Sequence, residues 1–528
     1  MSNLDLEQMR QAVSGKKLSV CFAFFTAKDW LPYYQAFSEF LDQLEARHYA
    51  ILIIAEDGKI DTETKKHVKH RVYTVDRDLV SRLNFVDVFL TIDWNPLVYD
   101  FPKSSKVVAF THFFSTETFA DQLTTCCGIY GGDFTDYHFI SAPRGNDEVS
   151  QLLNRAQTLC SESFPAGLRR KHSCVIPGGY PKLDTYIATC RNRTETDSDK
   201  TLLFAVTGLV NEDKTLPVYG KKIVEILLEN FPDYRIVFRP TPMDREHIVV
   251  QDLVNCFSSH TRFKVDLGGD LSHTYATSSL MICDQTHART TYAYSTLRPY
   301  LQCCFDQEHE EAFEYTSLGV KVYNINNLVE TINILLKNRD SYQNKIQEDC
   351  EENLANQGNA LAYLAENFKC ITEGIEHPDW FYIDKAVSEP RASESVNDYL
   401  KHISRFNDTS VNYIWWGRKI CLYALKQFPN DVSLLATYAK IMFMMGDDNR
   451  LPEANAEALK ARDRAYALDK GTAARHIWTA NERGSETEKV CTQLGGGGRY
   501  HCRALLAILK SRVLECLLAD RWRKMFRR

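Results

Sequence analysis

The chain contains 528 residues, of which 44% are hydrophobic and 25% are charged. A chain of this length is too long for one hydrophobic core, so we expect about two to four domains of ordinary globular composition. The formal net charge of −6 argues against a nucleic-acid-binding role for the chain as a whole.

The N-terminal segment and the cysteines indicate the compartment. The first residues are polar and no apolar run is long enough to span a bilayer, so we expect no secretory signal and no membrane-spanning helix. The 16 cysteines are scattered, without a Cys-x-x-Cys pair or a Cys/His block of zinc-binding spacing. These patterns predict a cytosolic protein with reduced thiols and no metal site.

The first part of the chain, residues 1–160, is predicted to form a Rossmann-like domain. From Lys17 to about Ser141, short apolar runs alternate with amphipathic segments. This alternation is typical of a parallel sheet covered on both faces. His112 follows the predicted strand "VVAF", where an imidazole with a pKa near ~6.5 could accept a proton from a hydroxyl, with Glu117 or Asp121 to orient it. Such a histidine can equally be structural.

The alternation restarts after a helical spacer, so residues 161–378 are predicted to form a second Rossmann-like domain that faces the first across a cleft. The segment "VIPGGYPKLDTYI", residues 175–187, is interpreted as the strand, glycine turn and helix that open this domain. Its glycines would let the backbone approach a ligand, and Asp184 would cap the helix that follows.

Two further segments of the second domain carry candidate ligand-binding groups. Arg239 ends a predicted strand before a Pro-rich turn and offers a guanidinium to a phosphate, although a surface arginine would look the same. Asp284 ends another strand, and Thr286 and Thr290 lie around the start of the next helix, where hydroxyls and free amides can hold a phosphate. A capped helix in an ordinary α/β unit is the alternative.

The strands stop after about Asp379. Residues 379–480 have helical spacing and about one and a half tetratricopeptide-like repeats, which predicts either a helical domain packed on the enzyme or a protein-binding site at 395–470. Residues 481–502 contain four consecutive glycines and are predicted to be a flexible linker. Residues 503–528 form a predicted basic amphipathic helix that suits an anionic membrane surface or docks on protein.

The order of these motifs resembles a known family. The segments concerned are the strand end at His112, Gly179-Tyr180-Pro181-Lys182-Leu183-Asp184, Arg239-Pro240-Thr241-Pro242, Asp284-Gln285-Thr286 and Leu297-Arg298-Pro299. Together, over roughly residues 80–340, they resemble the CDP-glycerol glycerophosphotransferase family of teichoic-acid and capsule enzymes. The resemblance implies the two-Rossmann-domain (GT-B) fold and leaves the helical C-terminal region outside the family.

The departures from the family pattern concern the donor. Phe113 follows His112 where the family has glycine, and Thr241 stands where a second family histidine contacts the donor phosphate. A threonine brings no charge, so either Arg239 supplies it or the donor carries fewer phosphates than CDP-glycerol. The donor therefore stays open between a CDP-linked polyol and a CMP-linked acidic sugar.

The resemblance implies a cytoplasmic transferase that helps build a bacterial surface polysaccharide, and the composition of residues 503–528 predicts that it is peripheral on the inner membrane. It would move a polyol phosphate or sugar from a nucleotide-linked donor to a hydroxyl of a glycan or lipid-linked glycan, without a cofactor or metal. His112 is the candidate base and Glu117 its orienting partner. The candidate donor-binding residues are Gly179, Thr207, Arg239, Thr241, Asp284, Thr286, Thr290 and Arg298. The alternatives are a glycosyltransferase that uses CMP-Kdo or another CMP-linked acidic sugar, and a non-catalytic scaffold with a degenerate GT-B core.

Overall fold

A computed structural model describes most of the chain, in two compact units that span Met1–Ser393 and Glu394–Arg528. The described residues are 3–24, 27–56, 68–75, 77–92, 100–110, 135–143, 172–191, 200–206, 215–241, 244–268, 271–305, 307, 309, 311–384, 395–404, 411–447 and 454–473.

The strands and helices are numbered here in chain order. The strands are β1 Leu18–Phe24, β2 Tyr49–Glu56, β3 Val72–Val75, β4 Val88–Ile92, β5 Lys106–Phe110, β6 Tyr137–Ile140, β7 His172–Pro177, β8 Thr201–Val206, β9 Arg235–Pro240, β10 Phe263–Val265, β11 Leu280–Cys283, β12 Tyr300–Cys303, β13 Phe313–Tyr315, β14 Gly319–Val322 and β15 Phe381–Asp384. The α-helices are α1 Asn3–Val13, α2 Ala27–Ala46, α3 Pro181–Arg191, α4 Gly220–Asn230, α5 Ile248–Phe257, α6 Ser272–Thr277, α7 Ala288–Thr296, α8 Leu328–Lys337, α9 Arg339–Asn353, α10 Ala360–Glu373, α11 Val396–Ser404, α12 Val411–Gln427, α13 Val432–Asp447 and α14 Ala454–Leu468. Short 3₁₀ segments lie at Arg77–Arg82 and Ile325–Asn327, and a π-helical turn lies at Thr215–Tyr219.

The first sheet has eight strands in the order β3-β2-β1-β4-β5-β6-β7-β15. Its strands are parallel except β15, which runs antiparallel to β7. The order of its first strands, 3-2-1-4-5-6, is that of a Rossmann-like sheet. Strand β4 is buried at every position, as expected for a parallel sheet covered on both faces. On one face, Phe37 of α2 packs against Phe22 and Phe110, with ring centroids 4.8 Å apart in each pair.

The second sheet has seven strands in the order β10-β9-β8-β11-β12-β14-β13. In chain order its first five strands are again arranged 3-2-1-4-5, and only β13 is antiparallel. Strand β8 at its centre is buried at all positions. The two sheets and the helical region that follows them confirm the predicted α/β fold with two Rossmann-like units and an α-helical C-terminal region.

The segment at residues 175–187 does not open the second sheet, which corrects the sequence interpretation. Strand β7 pairs with β6 in the first sheet, and the part of the segment after β7 contributes Tyr180, Leu183 and Tyr186 to the second core. The chain returns at α10, whose Leu364 and Phe368 pack in the first core. An apolar strand that ends in glycines fits either sheet, because strand pairing is set by residues distant in sequence.

The first sheet therefore extends past the predicted end of the N-terminal domain, and its last strand, β15, lies within residues 379–480, which were predicted to be helical. Its seventh and eighth strands come from residues 172–177 and 381–384, whereas the prediction ended the domain at residue 160. Residues 161–378 accordingly contain the whole second sheet together with part of the first.

The second unit is helical where the structure describes it, as predicted. Helix α13 packs against both α12 and α14, and Leu435, Ala436 and Ala465 form the centre of a small core. The side chain of Asp431 accepts a hydrogen bond from the backbone N–H of Leu434 at 2.9 Å and so caps α13. The predicted linker and basic helix lie outside the described residues. Among the helices that are described, none is both long and apolar enough to cross a bilayer.

Candidate functional site

The topology of the second sheet locates a crevice for a ligand. Strands β8 and β11 are neighbours, but the chain proceeds from β8 towards β9 on one side and from β11 towards β12 on the other. In open α/β sheets, ligands bind outside the carboxyl ends of the strands at such a switch point. Strands β8 and β11 end at Val206 and Cys283, so the predicted residues Thr207 and Asp284 directly follow them. Thr207 itself lies outside the described residues.

Asp284 shapes the turn that leads into α7. Its side chain is fully buried, and Oδ1 accepts a hydrogen bond from the backbone N–H of Thr286 at 3.0 Å. The hydroxyl of Thr286 accepts in turn from the N–H of Ala288 at 3.3 Å. The residue before α7, His287, makes no side-chain hydrogen bond to the first turn. This arrangement directs the positive end of the α7 dipole at the carboxyl edge of the sheet.

Thr290 and Arg298 are the predicted donor residues at the two ends of α7. Thr290 is buried in the first turn of this helix. Arg298 follows its end, and its Nη1 donates to the carbonyls of Ala276 at 3.1 Å and Ser278 at 2.5 Å. These carbonyls belong to the end of α6 and the residue after it, so this guanidinium holds α6 against the end of α7. Its predicted contact with a donor stays a prediction.

Arg239 lies at the same edge of the sheet as Asp284. It is level with Ala205 of β8, which is level with Cys283 of β11, so Arg239 and the end of β11 are two strands, or roughly 10 Å, apart. The Arg239 guanidinium is buried and donates to Asp266 Oδ2 at 2.6 Å and to the Gly268 carbonyl at 2.8 Å. Its charge is therefore balanced by a carboxylate of the same chain.

Asp266 is held ionised by its neighbours. Burial alone would raise the pKa of its carboxyl, but the hydrogen bond from Thr274 and the charge of Arg239 outweigh burial and keep this pKa below its usual value. The Thr274 hydroxyl donates to Oδ2 at 2.5 Å. The pair of Arg239 and Asp266 thus stabilises the turn at the ends of β9 and β10.

A second arginine beside this pair is absent from the sequence prediction. The Nη2 of Arg245 donates to the same Gly268 carbonyl at 3.4 Å, and its buried Nε has no hydrogen-bond partner. Burial and the nearby charge of Arg239 lower the pKa of Arg245. The charge of Asp266 acts in the opposite direction and raises the pKa of Arg245, but it does not outweigh burial and the charge of Arg239. The available sequence signal was a second arginine six residues after Arg239, beyond the Pro-rich turn.

The glycines before α3 fit against protein atoms. Gly179 has a φ of +101°, and a Cβ added there would lie 2.5 Å from the carbonyl oxygen of Ala355. A Cβ on Gly178 would lie 2.0 Å from an atom of the Phe139 ring. The backbone approach that the sequence indicated is thus an approach to the returning chain, and a contact between Gly179 and the donor stays a prediction.

Asp184 caps a different helix from the one predicted. It lies in the first turn of α3, and its Oδ2 accepts from the backbone N–H of Leu361 in α10 at 3.1 Å, across 177 residues of sequence. Burial raises the pKa of Asp184 to about 7, against the opposing hydrogen bonds from the amides of Leu361 and Ala360. The side chain of Asn356 donates to the carbonyls of Pro177 and Gly178. The segment that leaves the first sheet after β7 is therefore hydrogen-bonded to the segment that returns before α10.

The remaining predicted residues are His112, Glu117 and Thr241. Strand β5 ends at Phe110, at the carboxyl edge of the first sheet, but His112 and Glu117 beyond it lie outside the described residues. Thr241 follows β9 directly and is half-buried, and its carbonyl accepts from the N–H of Asp244 at 3.0 Å. Its predicted donor contact is not tested by these observations.

Comparisons with known proteins give similar structures only. No family model and no curated protein matches the chain. A structure of the wall teichoic acid polymerase TagF is 14% identical, with a TM-score of 0.46, over 71% of this chain and 96% of that one. The S. aureus MnaA–UDP complex is 14% identical, with a TM-score of 0.45, over 69% and 99%. The UDP-GlcNAc 2-epimerase from Neisseria meningitidis bound to UDP-GlcNAc is 14% identical, with a TM-score of 0.41, over 66% and 99%.

A teichoic-acid enzyme of the kind that the sequence resembles is therefore among the structural neighbours. At these identities and TM-scores the likeness assigns no activity to this chain.

Proposed function

We propose that this protein is a nucleotide-dependent transferase of cell-surface glycan biosynthesis that binds its activated donor at the carboxyl edge of the second sheet. The observation that carries the proposal is the switch point between β8 and β11, where the buried Asp284 turn directs the start of α7 at the crevice. Amides at the start of a helix favour phosphate. The candidate donor residues Asp284, Thr286 and Thr290 lie at this edge, and Thr207 is the next residue in sequence after β8.

The charges at this edge support a nucleotide leaving group that carries few phosphates. Arg239 is balanced by Asp266 and Thr241 is neutral, so Arg245 is the additional basic side chain proposed to contact the leaving phosphate. Both candidate donors release a nucleoside monophosphate, because transfer of a polyol phosphate from a CDP-linked polyol breaks the pyrophosphate bond and leaves CMP. The donor therefore stays open between a CMP-linked acidic sugar and a CDP-linked polyol.

The chemical step is proposed from the sequence, because His112 and Glu117 lie outside the described residues. His112 accepts the proton of the acceptor hydroxyl, and Glu117 orients its imidazole. The acceptor oxygen then forms a bond to the transferred group as the bond to the nucleotide phosphate breaks. Arg245 and the α7 amides stabilise the negative charge that stays on the nucleotide. The acceptor is a glycan or lipid-linked glycan on the cytoplasmic face of the inner membrane.

Nucleotide binding tests the proposal. In thermal-shift and calorimetric titrations of the full chain with CMP, CDP, UDP and ADP, we expect CMP to raise the Tm most. Arg245→Gln removes one charged hydrogen-bond donor and should weaken CMP binding by roughly tenfold. Arg235→Gln is a matched control, because Arg235 is exposed at the opposite end of β9. The proposal is wrong if none of the four nucleotides stabilises the protein.

A non-catalytic scaffold is the second candidate function. It is favoured by the observation that Arg239 and Arg298, two of the predicted donor residues, make hydrogen bonds within the fold. In this case the helical segment 395–470 would bind a protein partner. Absence of nucleotide binding, together with retention of such a partner by the full chain, would support the scaffold over the transferase.

A further inference from the structure

We propose that Asp42, Glu45 and His70 form a binding site for a divalent transition-metal ion of the Zn²⁺ class. Asp42 and Glu45 lie near the C-terminal end of α2, and His70 lies just before β3. One nitrogen or oxygen atom from each residue lies within 4.8 Å of the others. The site is outside the second sheet, so it is independent of the function proposed above.

The spacing of the three side chains suits a metal. Asp42 and Glu45 are three residues apart and share a helix face. The Nε2 of His70 is 3.7 Å from Asp42 Oδ1 and 3.8 Å from Glu45 Oε2. Tetrahedral Zn²⁺ with bonds of about 2.0–2.2 Å separates its ligand atoms by roughly 3.4 Å. Both carboxylates are half-exposed, so small rotations suffice to reach this geometry.

His70 provides the independent indication of a ligand. Its side chain is only 5% exposed, and its Nε2 is buried without a hydrogen-bond partner while facing the two carboxylates. Its Nδ1 lies 3.0 Å from the hydroxyl of Tyr34. The Tyr34 oxygen also accepts from the backbone N–H groups of Lys69 and His70, at 3.0 and 3.4 Å. In the tautomer that binds a metal, Nδ1 donates to this oxygen as well, and Nε2 presents a lone pair towards the two carboxylates. Metal-binding histidines are typically oriented by such a second hydrogen bond.

The local charge also favours a cation. Acidic residues near the C-terminal end of a helix are opposed by the helix dipole, and α2 has no basic residue in its last turn. The Lys69 ammonium compensates in part, 2.7 Å from Asp42 Oδ1 and 3.8 Å from Glu45 Oε2. The Lys69 side chain is 62% exposed, so it can leave the cluster when a metal enters. The ammonium and the metal therefore compete for the same carboxylates.

One imidazole and two carboxylates define the class of ion. Imidazole nitrogen favours Zn²⁺ and its neighbours in the first transition row over Mg²⁺ and Ca²⁺, which prefer oxygen alone. Three protein ligands leave the fourth tetrahedral position to water. The ion would join the end of α2 to the chain that enters β3. Because it binds the folded state, it would stabilise the first sheet at this edge.

Zinc binding to the full chain tests the proposal. We expect wild-type protein, stripped with a chelator, to bind one more Zn²⁺ in equilibrium dialysis than the Asp42→Asn/Glu45→Gln double variant. Zn²⁺ should raise the Tm of wild type more than that of the double variant. Glu39→Gln is the matched control, because Glu39 is an exposed acidic residue on the same helix, and it should bind as wild type does. Lys69→Met should tighten binding several-fold by removing the competing ammonium.

The cysteines require a separate readout, because thiolates also bind Zn²⁺. Co²⁺ substituted at the proposed site should give ligand-field absorption without a thiolate-to-metal charge-transfer band, and the double variant should lose that absorption. The proposal is overturned if the double variant binds as much Zn²⁺ as wild type. It is equally overturned if Glu39→Gln removes the same equivalent.

Discussion

Asp184 shows how far a single residue can be interpreted from sequence. Its position after Gly-Tyr-Pro predicts a helix cap, and capping is what its carboxylate does. The helix is α10 rather than α3, because the amide of Leu361 reaches Asp184 from a segment 177 residues away. No local pattern contains that information. Burial, which raises its pKa to about 7, is likewise a property of the packed chain.

Asp184 predicts a pH dependence of stability. A carboxyl whose pKa is raised by folding binds more protons in the folded state, so its contribution to stability is complete below about pH 4 and is lost as the pH rises through about 7. Asp184→Asn keeps an oxygen for the Leu361 amide but carries no charge. We expect the stability of the variant to fall less than that of wild type between pH 4 and 8. At pH 8 the free energy of unfolding of the variant should exceed that of wild type by an amount on the order of a few kcal/mol. Unfolding curves of both proteins, measured across this pH range, test the expectation. Equal slopes for the two proteins would show that Asp184 is not the titrating group.

The arginines of the candidate site also have contacts that the local sequence does not predict. Arg239 was predicted as an anion-binding residue from its place at a strand end, and its place was correct. Its partner Asp266 comes from another strand, so its neutralisation was not visible in the sequence. Arg245 was passed over because it lies in a turn, where a lone arginine carries no periodic signal. Burial of its Nε next to Gly268 is what distinguishes it.

At the scale of elements, the sequence was most informative where apolar runs are long. Strands β5, β9 and β11, which end near His112, Arg239 and Asp284, were predicted from their apolar runs. Strand β3 has the polar Thr74 within its four residues, so it forms no continuous apolar run. The sheet to which β7 belongs was assigned wrongly because only pairing with β6, and not composition, separates the last strand of one sheet from the first of the next.

The passage from β7 to α3 gives a prediction at this scale. Gly179→Ala places a Cβ 2.5 Å from the carbonyl oxygen of Ala355 and also forces alanine to a φ of +101°. We expect a loss in the free energy of unfolding of at least about 3 kcal/mol. Gly15→Ala is the control, because Gly15 has a φ of +72° but no atom within 4 Å of the added Cβ, so strain alone should cost about 1 kcal/mol. Denaturant unfolding compares the two. Equal losses would mean that the close approach to Ala355 contributes nothing.

At the scale of the whole molecule, the first unit repeats one topology twice. Both sheets begin with strand order 3-2-1-4-5, so each has a switch point at its carboxyl edge, and the predicted base and donor residues follow strands of different sheets. The alternation of strand and helix predicts this class of fold. It does not predict that residues 172–177 and 381–384 complete the first sheet, because both pairings join segments far apart in sequence.

The C-terminal segment provides the last prediction. Residues 503–528 carry an apolar stripe that includes Leu509, Leu517 and Trp522, followed by a cluster of five basic residues, Arg521, Arg523, Lys524, Arg527 and Arg528. Each basic side chain near an anionic surface contributes about 1 kcal/mol, and the apolar stripe adds burial at the headgroup boundary. We expect the full chain to sediment with phosphatidylglycerol-containing vesicles, less at high salt, and not with phosphatidylcholine alone. A chain that ends at residue 502 should stay in the supernatant and keep the nucleotide response, because the candidate donor site lies in the first unit. If that shortened chain sediments with anionic vesicles as the full chain does, the contact with lipid lies elsewhere in the protein.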